Sequence, residues 1–110
     1  EKDGALFAIL GSPGGSRIIT SVLQVILNLI EFKMPPSKAV AAKRFHHQWL
    51  PDVLYLEEHF NKKTEWKLKQ MGYKIEKRTI GRVNAIYYDS HSKTYYGIAD
   101  PRAYGKANGF

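Results

Sequence analysis

Apolar residues change period several times along the chain, and each change marks an element. Residues 5–10, Ala5-Leu6-Phe7-Ala8-Ile9-Leu10, show no polar alternation, which predicts a strand covered on both faces. From about residue 16 to 31 the apolar positions Ile19, Val22, Leu23, Ile26, Leu29 and Ile30 recur at helical spacing. Ile18, Val25 and Leu27 widen that stripe, so the helix is expected to be nearly buried or held between two neighbours. Ser16 is its candidate N-cap. Pro35-Pro36 stops the helical pattern, and Ser37 can cap a short second helix through Ala42. His46 to Asp52 reads as a connection into a strand at residues 53–56. Asn61 can cap a third helix reaching Met71, which Gly72 ends; Thr64, Leu68 and Met71 share one of its faces. Residues 74–79, 83–89 and 94–99 read as three consecutive antiparallel strands, with turns at Gly81 and at residues 89–93. Beyond Asp100 the pattern is irregular.

The resulting order, β-α-α-β-α-β-β-β, predicts a layered α+β sandwich. Sheet partners for the first strand are not evident within the chain, which suggests a piece of a larger sheet. At 110 residues the chain fits one small domain or part of a larger one. Its hydrophobic share of 44% excludes a disordered chain. There is no cysteine, and therefore no disulfide or thiol chemistry. The polar start, Glu1-Lys2-Asp3-Gly4, is not a signal peptide. The apolar stretch from Ile18 to Ile30 contains Thr20, Ser21, Gln24 and Asn28 and falls short of the about 20 residues a membrane span needs.

The net charge of +7 raises nucleic acid, a membrane surface or an acidic partner as candidates. The basic residues are scattered, however, and the densest run, residues 61–82, reads as the solvated faces of a helix and a strand. No nucleic-acid and no membrane partner is expected.

The most informative interval is Gly11-Ser12-Pro13-Gly14-Gly15-Ser16-Arg17-Ile18, set between the first strand and the long helix. Glycines there leave the backbone N–H groups of Gly14 and Gly15 open to approach, and the helix start adds partial positive charge. Two readings stand: a loop that needs glycine for its backbone angles, or a cradle for an anion or a developing oxyanion. It is not a Walker A loop, since no Lys-Ser or Lys-Thr follows, and it lacks the G-x-G-x-x-G spacing of a dinucleotide site. His46 and His47 are adjacent and point apart, and His59 and His91 are isolated, so all four read as structural or surface residues and no metal site is expected. Glu57 and Glu58 face opposite ways. Asp100 reads as a turn or ion-pair residue. Tyr87, Tyr88, Tyr95 and Tyr96 suit cross-strand packing, and Trp49 and Trp66 are expected to pack rather than bind. No nucleophile stands beside a visible base: Thr20 lies in the buried helix, and no His or Lys pairs visibly with Ser12 or Ser16.

Three motifs carry a resemblance. Gly11-Ser12-Pro13-Gly14-Gly15-Ser16-Arg17-Ile18-Ile19-Thr20, Arg44-Phe45-His46-His47-Gln48-Trp49-Leu50-Pro51-Asp52 and Gly97-Ile98-Ala99-Asp100-Pro101-Arg102 together resemble the C-terminal end of the γ-glutamyltransferases (γ-glutamyltranspeptidases). The resemblance covers residues 1–110. It implies part of the αββα sandwich of an N-terminal-nucleophile hydrolase, whose precursor cleaves itself into a large and a small subunit. In that family the threonine freed at the start of the small subunit attacks the γ-glutamyl amide of compounds such as glutathione, with its own α-amine as base. The acyl-enzyme then passes the γ-glutamyl group to water or an amino acid. The resemblance makes Gly14 and Gly15 the oxyanion-hole donors. It puts the nucleophile, and the groups that hold the substrate's α-amino and α-carboxylate ends, upstream of Glu1. It implies no cofactor, the large subunit and the rest of the small subunit as partners, and a periplasmic or secreted location. The chain departs from the family pattern at Lys43, where proline is common, and in its tail from Arg102 to Phe110, which is less glycine-rich. A stand-alone basic binding module for nucleic acid or an acidic partner, reusing the fold, is the alternative.

Overall fold

The computed structural model describes residues 1–109. It is α+β, as the order of elements implies, and holds two three-stranded sheets. In the first, β1 (Ala8–Gly11) pairs antiparallel with β5 (Asn84–Asp89), which pairs antiparallel with β6 (Thr94–Ile98). The first strand therefore does find a partner within the chain, seventy-odd residues downstream, and it lies at the sheet edge. Its burial alternates, with Ala8 and Leu10 turned inward and Ile9 outward. The expected cover on both faces is thus absent among the described residues.

Helix α1 (Arg17–Ile30) and helix α2 (Pro36–Ala41) cover the inner face of this sheet. Val25, Ala39, Val40, Val83 and Ala85 form the core there, flanked by Leu10, Leu29, Met34 and Ile98. The nearly buried α1 anticipated from its wide stripe is corrected: only Ser21 and Val25 are fully buried, and Ile19 is 75% exposed. The second helix starts at Pro36 rather than after a Ser37 cap. Proline has no N–H to lose in the first turn, and its φ is already helical.

The second sheet runs β2-β3-β4 from β2 (Phe45–His46), β3 (Leu54–Leu56) and β4 (Ile75–Lys77). β2 is antiparallel to β3, and β3 is parallel to β4. Residues 74–79 therefore do not belong to an antiparallel trio with β5 and β6. Between β3 and β4 lies α3 (Lys62–Gln70), the helical crossover that a parallel pair requires. Its start is as anticipated: Asn61 Oδ1 accepts from Thr64 N at 2.9 Å. The β5–β6 turn is closed by Asp89, which accepts from His91 N and Ser92 Oγ, and Tyr88 packs across the strands on Tyr95 with ring centroids 4.8 Å apart.

Candidate functional site

The glycine turn leads from β1 into α1. Gly14 has φ 137° and Gly15 φ 58°, both in the region that favours glycine. Their carbonyls accept from Arg17 N at 3.2 Å and Ile18 N at 3.0 Å, which starts the helix. Among the described residues neither glycine N–H has an acceptor. Two contacts from the loop after β4 hold the turn. Ser12 Oγ donates to Pro13 O at 2.8 Å and accepts from Arg82 N at 3.0 Å. Gly81, at φ 61°, lies so close that a Cβ there would overlap Ser21 Oγ and sit 2.8 Å from Ser21 Cβ. A cavity of about 230 Å³ opens beside Gly14, with Arg17, Thr79, Gly81 and Arg82 on its walls.

Ser16 holds the N-cap position of α1, as anticipated, but its side chain makes no capping hydrogen bond. Its backbone is already helical (φ −57°, ψ −23°), and its hydroxyl donates to Gln48 Oε1 at 2.6 Å. Gln48 continues a polar chain that sequence reasoning missed. Its Oε1 lies 3.0 Å from His46 Nε2, its amide donates to Leu50 O, and His46 Nδ1 lies 2.8 Å from Thr20 Oγ1. Gln24 adds two hydrogen bonds to the backbone of Phe45. Together these fasten β2 to α1 and to the glycine turn. Thr20 and His46 do form a hydroxyl–imidazole pair, but His46 is 2% exposed and closed to a substrate, so the pair is structural. His47 sits at the surface beside Asp52, 3.0 Å away, and His59 and His91 are exposed. Trp49 and Trp66 do not pack as anticipated; they are 75% and 61% exposed.

Behind the turn lies a buried ionic clasp. Asp100 Oδ2 pairs with Arg44 Nη1 at 2.9 Å and accepts from Val83 N at 2.6 Å. Asp100 Oδ1 accepts from Arg102 N at 2.9 Å and Arg102 Nη1 at 3.1 Å. Arg102 grips Glu57 through Nε and Nη2, while Glu57 also accepts from Arg44 N and Ile80 N. The Nη groups of the two arginines also donate to the carbonyls of Val40, Ala42 and Ile80, while Arg44 Nε is buried without a partner among the described residues. Burial pushes the Asp100 carboxyl up, but the Arg102 backbone N–H and the Arg44 charge outweigh it and hold the carboxyl below its usual range. Glu57 is likewise held low: burial is offset by the Arg102 side chain and by two backbone N–H groups. For Arg102, burial is outweighed by Glu57 and Asp100, and the guanidinium is held above its usual range. For Arg44, burial and the Arg102 charge prevail and lower it. Asp100 is an ion-pair residue, as the sequence suggested. Glu57 faces inward and Glu58 outward, as anticipated. The partnership with Arg44 had no local signal, because Arg44 is 13 residues from Glu57 and more than fifty from Asp100 and Arg102. By fixing Ile80 and Val83 on either side of Gly81 and Arg82, the clasp positions the loop that braces the glycine turn.

The sequence profile of the family described as Gamma-glutamyltranspeptidase matches residues 1–110. The chain belongs to the γ-glutamyltranspeptidase family. It is 43% identical over 103 residues to the glutathione hydrolase proenzyme of Escherichia coli K12, an alignment that covers 93% of this chain and 18% of that protein. With glutathione hydrolase proenzyme 2 of Schizosaccharomyces pombe it shares 38% identity, over 97% of this chain and 18% of that one. Among solved structures it is similar to the γ-glutamyltranspeptidase of Helicobacter pylori, with TM-score 0.88 and 47% identity over 94% of this chain and 57% of that chain. The γ-glutamyltranspeptidase of Pseudomonas nitroreducens aligns with TM-score 0.91 and 39% identity over 100% of this chain and 58% of that chain. The chain thus spans under one-fifth of the proenzymes and under two-thirds of the solved chains it matches. These likenesses place the two sheets and three helices of this γ-glutamyltranspeptidase segment within the N-terminal-nucleophile αββα sandwich. They lend no support to a stand-alone binding module. No helix among the described residues is long and apolar enough to cross a membrane.

Proposed function

We propose that residues 1–110 are the C-terminal part of the small subunit of a γ-glutamyltranspeptidase. That enzyme cleaves the γ-glutamyl amide of glutathione or a related compound and transfers the γ-glutamyl group to water or an amino acid. The supporting observation is the pair of glycine N–H groups at the head of α1, without acceptors among the described residues, with a cavity beside Gly14. When a nucleophile attacks the amide carbonyl, its oxygen gains negative charge as the carbon becomes tetrahedral. Gly14 N–H and Gly15 N–H donate to that oxygen, and they need no reorganisation because Ser12, Gly81 and Arg82 already fix the turn. Collapse of the intermediate expels the amine and leaves an acyl-enzyme, which water or an amino acid then resolves. The nucleophilic threonine and its α-amine base come from the part of the small subunit preceding this segment, and the large subunit completes the substrate pocket. No cofactor takes part. The location that goes with this function is periplasmic or secreted.

The test is substitution of Gly15 by valine in a complete enzyme carrying this segment. Valine keeps the N–H, but a β-branched residue is strained at the Gly15 φ of 58°, so the donor is turned away from the oxyanion; loss of one such donor costs roughly 100- to 1,000-fold in turnover. Near-normal hydrolysis of a γ-glutamyl anilide by that variant would remove the role assigned to the turn.

A further inference from the structure

The arginines of this segment divide into two groups. Arg44 and Arg102 are held in the clasp by ion pairs, and Arg78 lies over the Tyr55 ring, 5.4 Å from its centroid. Arg17 and Arg82 make no side-chain hydrogen bond or ion pair among the described residues. Both line the same cavity of about 230 Å³, together with Thr79, Gly14 and Gly81, and no carboxylate lines it. By contrast, a neighbouring cavity that contains Arg102 and Lys43 also contains Glu57 and Glu58 and is balanced in charge. Two arginines lining one half-open cavity whose walls hold no carboxylate favour an anion, and planar guanidinium forks fit a carboxylate.

We propose that Arg17 and Arg82 form a carboxylate subsite for the half of the substrate beyond the scissile amide. Its ligand is the C-terminal carboxylate of the leaving peptide, or of the amino acid or peptide that takes its place as acceptor. This rests on the function proposed above. Gly14 is shared: it borders the cavity and supplies an oxyanion donor, so a group bound in the cavity belongs to the reacting molecule. The resemblance assigns the α-carboxylate of the γ-glutamyl half to groups upstream of this segment. The carboxylate left over is the one on the leaving side. In glutathione it lies two residues past the scissile bond, about 7 Å when extended, which keeps it next to the glycine turn. The cavity is smaller than the roughly 300–1,000 Å³ of whole-ligand pockets and suits a terminal carboxylate-bearing residue. Gly81 also lines the cavity and admits no side chain, since a Cβ there would overlap Ser21.

The experiment uses the complete enzyme and compares glutathione with its C-terminal amide as donors, and glycylglycine with its amide as acceptors. Hydrogen bonds to a charged partner at a half-open site correspond to about tenfold. The unmodified enzyme should therefore favour the acid over the amide by about tenfold in kcat/KM, and the preference should shrink as salt rises. In Arg82→Gln the preference should fall to about one, and in Arg82→Glu it should invert, whatever happens to the absolute rates. Arg17→Gln gives a second reading of the same ratio. Loss of preference in the donor pair alone assigns the subsite to the leaving peptide; loss in the acceptor pair alone assigns it to the acceptor. An unmodified enzyme indifferent to amidation, or a preference retained in both arginine variants, overturns the proposal. Turnover of a γ-glutamyl anilide, which has no leaving-side carboxylate, separates the two levels: if the unmodified enzyme does not cleave it, the parent function fails and the subsite falls with it.

Discussion

Replacing Asp100 by asparagine keeps the side chain's shape and removes its charge. Asp100 takes four donors: Val83 N and Arg44 Nη1 on one oxygen, Arg102 N and Arg102 Nη1 on the other. Asparagine offers one carbonyl oxygen, so its amide group must face two donors wherever it is turned. Side-chain exposure is 0% for Asp100 and 1% for Arg44, so water does not screen the loss. Removing one partner of a buried ion pair costs about 3–5 kcal/mol, because the other charge stays buried. Glu57 still neutralises Arg102, which points to the lower end, about 3 kcal/mol. Asp52→Asn is the matched control, since Asp52 is exposed and its one side-chain hydrogen bond among the described residues is to His47; such pairs contribute about 0–1 kcal/mol. Urea unfolding of the complete enzyme, followed by tryptophan fluorescence, should show a lowered midpoint for Asp100→Asn and none for Asp52→Asn. Equal midpoints would refute the reasoning. The double variant Arg44→Met, Asp100→Leu should recover only the part of the loss due to the uncompensated Arg44 charge, because Val83 N and Arg102 N still lose their acceptor.

The same clasp fixes the sign of a pH dependence. Asp100 and Glu57 are both held below their usual ranges in the folded chain, so near pH 4 the unfolded state binds more protons than the folded one. Stability then rises with pH through that region. The contribution is complete above the unfolded carboxyl values of about 4 and is lost as pH falls through the lower folded values. In Asp100→Asn the acid limb should be shallower, and an unchanged limb would show that Asp100 is not one of the groups responsible.

Gly81→Ala should destabilise the complete enzyme by at least about 2 kcal/mol, combining left-handed strain with overlap on Ser21; a wild-type urea midpoint would contradict the packing. Its turnover should fall with its stability, because Gly81 braces the glycine turn. The purified 110-residue chain should release no nitroaniline from a γ-glutamyl anilide, since the one hydroxyl–imidazole pair among the described residues, Thr20–His46, is closed off; measurable turnover would sink this. The same chain alone should self-associate in sedimentation, and a cooperatively unfolding monomer would argue against that.

What could be read from sequence was local. The 3.6-residue period, the Asn61 cap and the Asp89 turn are written in neighbouring residues, and they came out close to their places. The glycine turn was legible for the same reason: a strand, two glycines and a helix follow one another directly. What was lost depended on distant partners. Residues 75–77 have strand character, but whether they join β5 or β3 depends on the direction in which α3 returns the chain. Ser16 has the composition of a cap, yet Gln48, across the chain, takes its hydroxyl. Arg44 looked like one more surface cation until Asp100, Glu57 and Arg102 were brought round it.

The one periodicity that misled on its own terms is also the most telling. Residues 5–10 and α1 carry more apolar surface than the chain covers. Leu10, Ala85 and Ile98 lie in one row across β1, β5 and β6, and this row faces the core. The next row, Ile9, Ile86 and Gly97, faces the other way. Ile9 and Ile86 are exposed there, and only the tail around Ala107 crosses Gly97. On the far side of the helix layer, Ile19, Leu23 and Ile30 are open as well. An inner face covered by helices, an outer face left apolar and a strand edge left unpaired describe one α layer and one β layer of a four-layer sandwich. A second sheet laid on the Ile9–Ile86 row would make β1 two-faced, as its unbroken apolar run demands. The solved relatives are longer than the part this chain matches, so they have chain to spare for that layer. The unalternating pattern of the first strand is therefore a property of the complete sandwich, recorded in a segment that holds part of it.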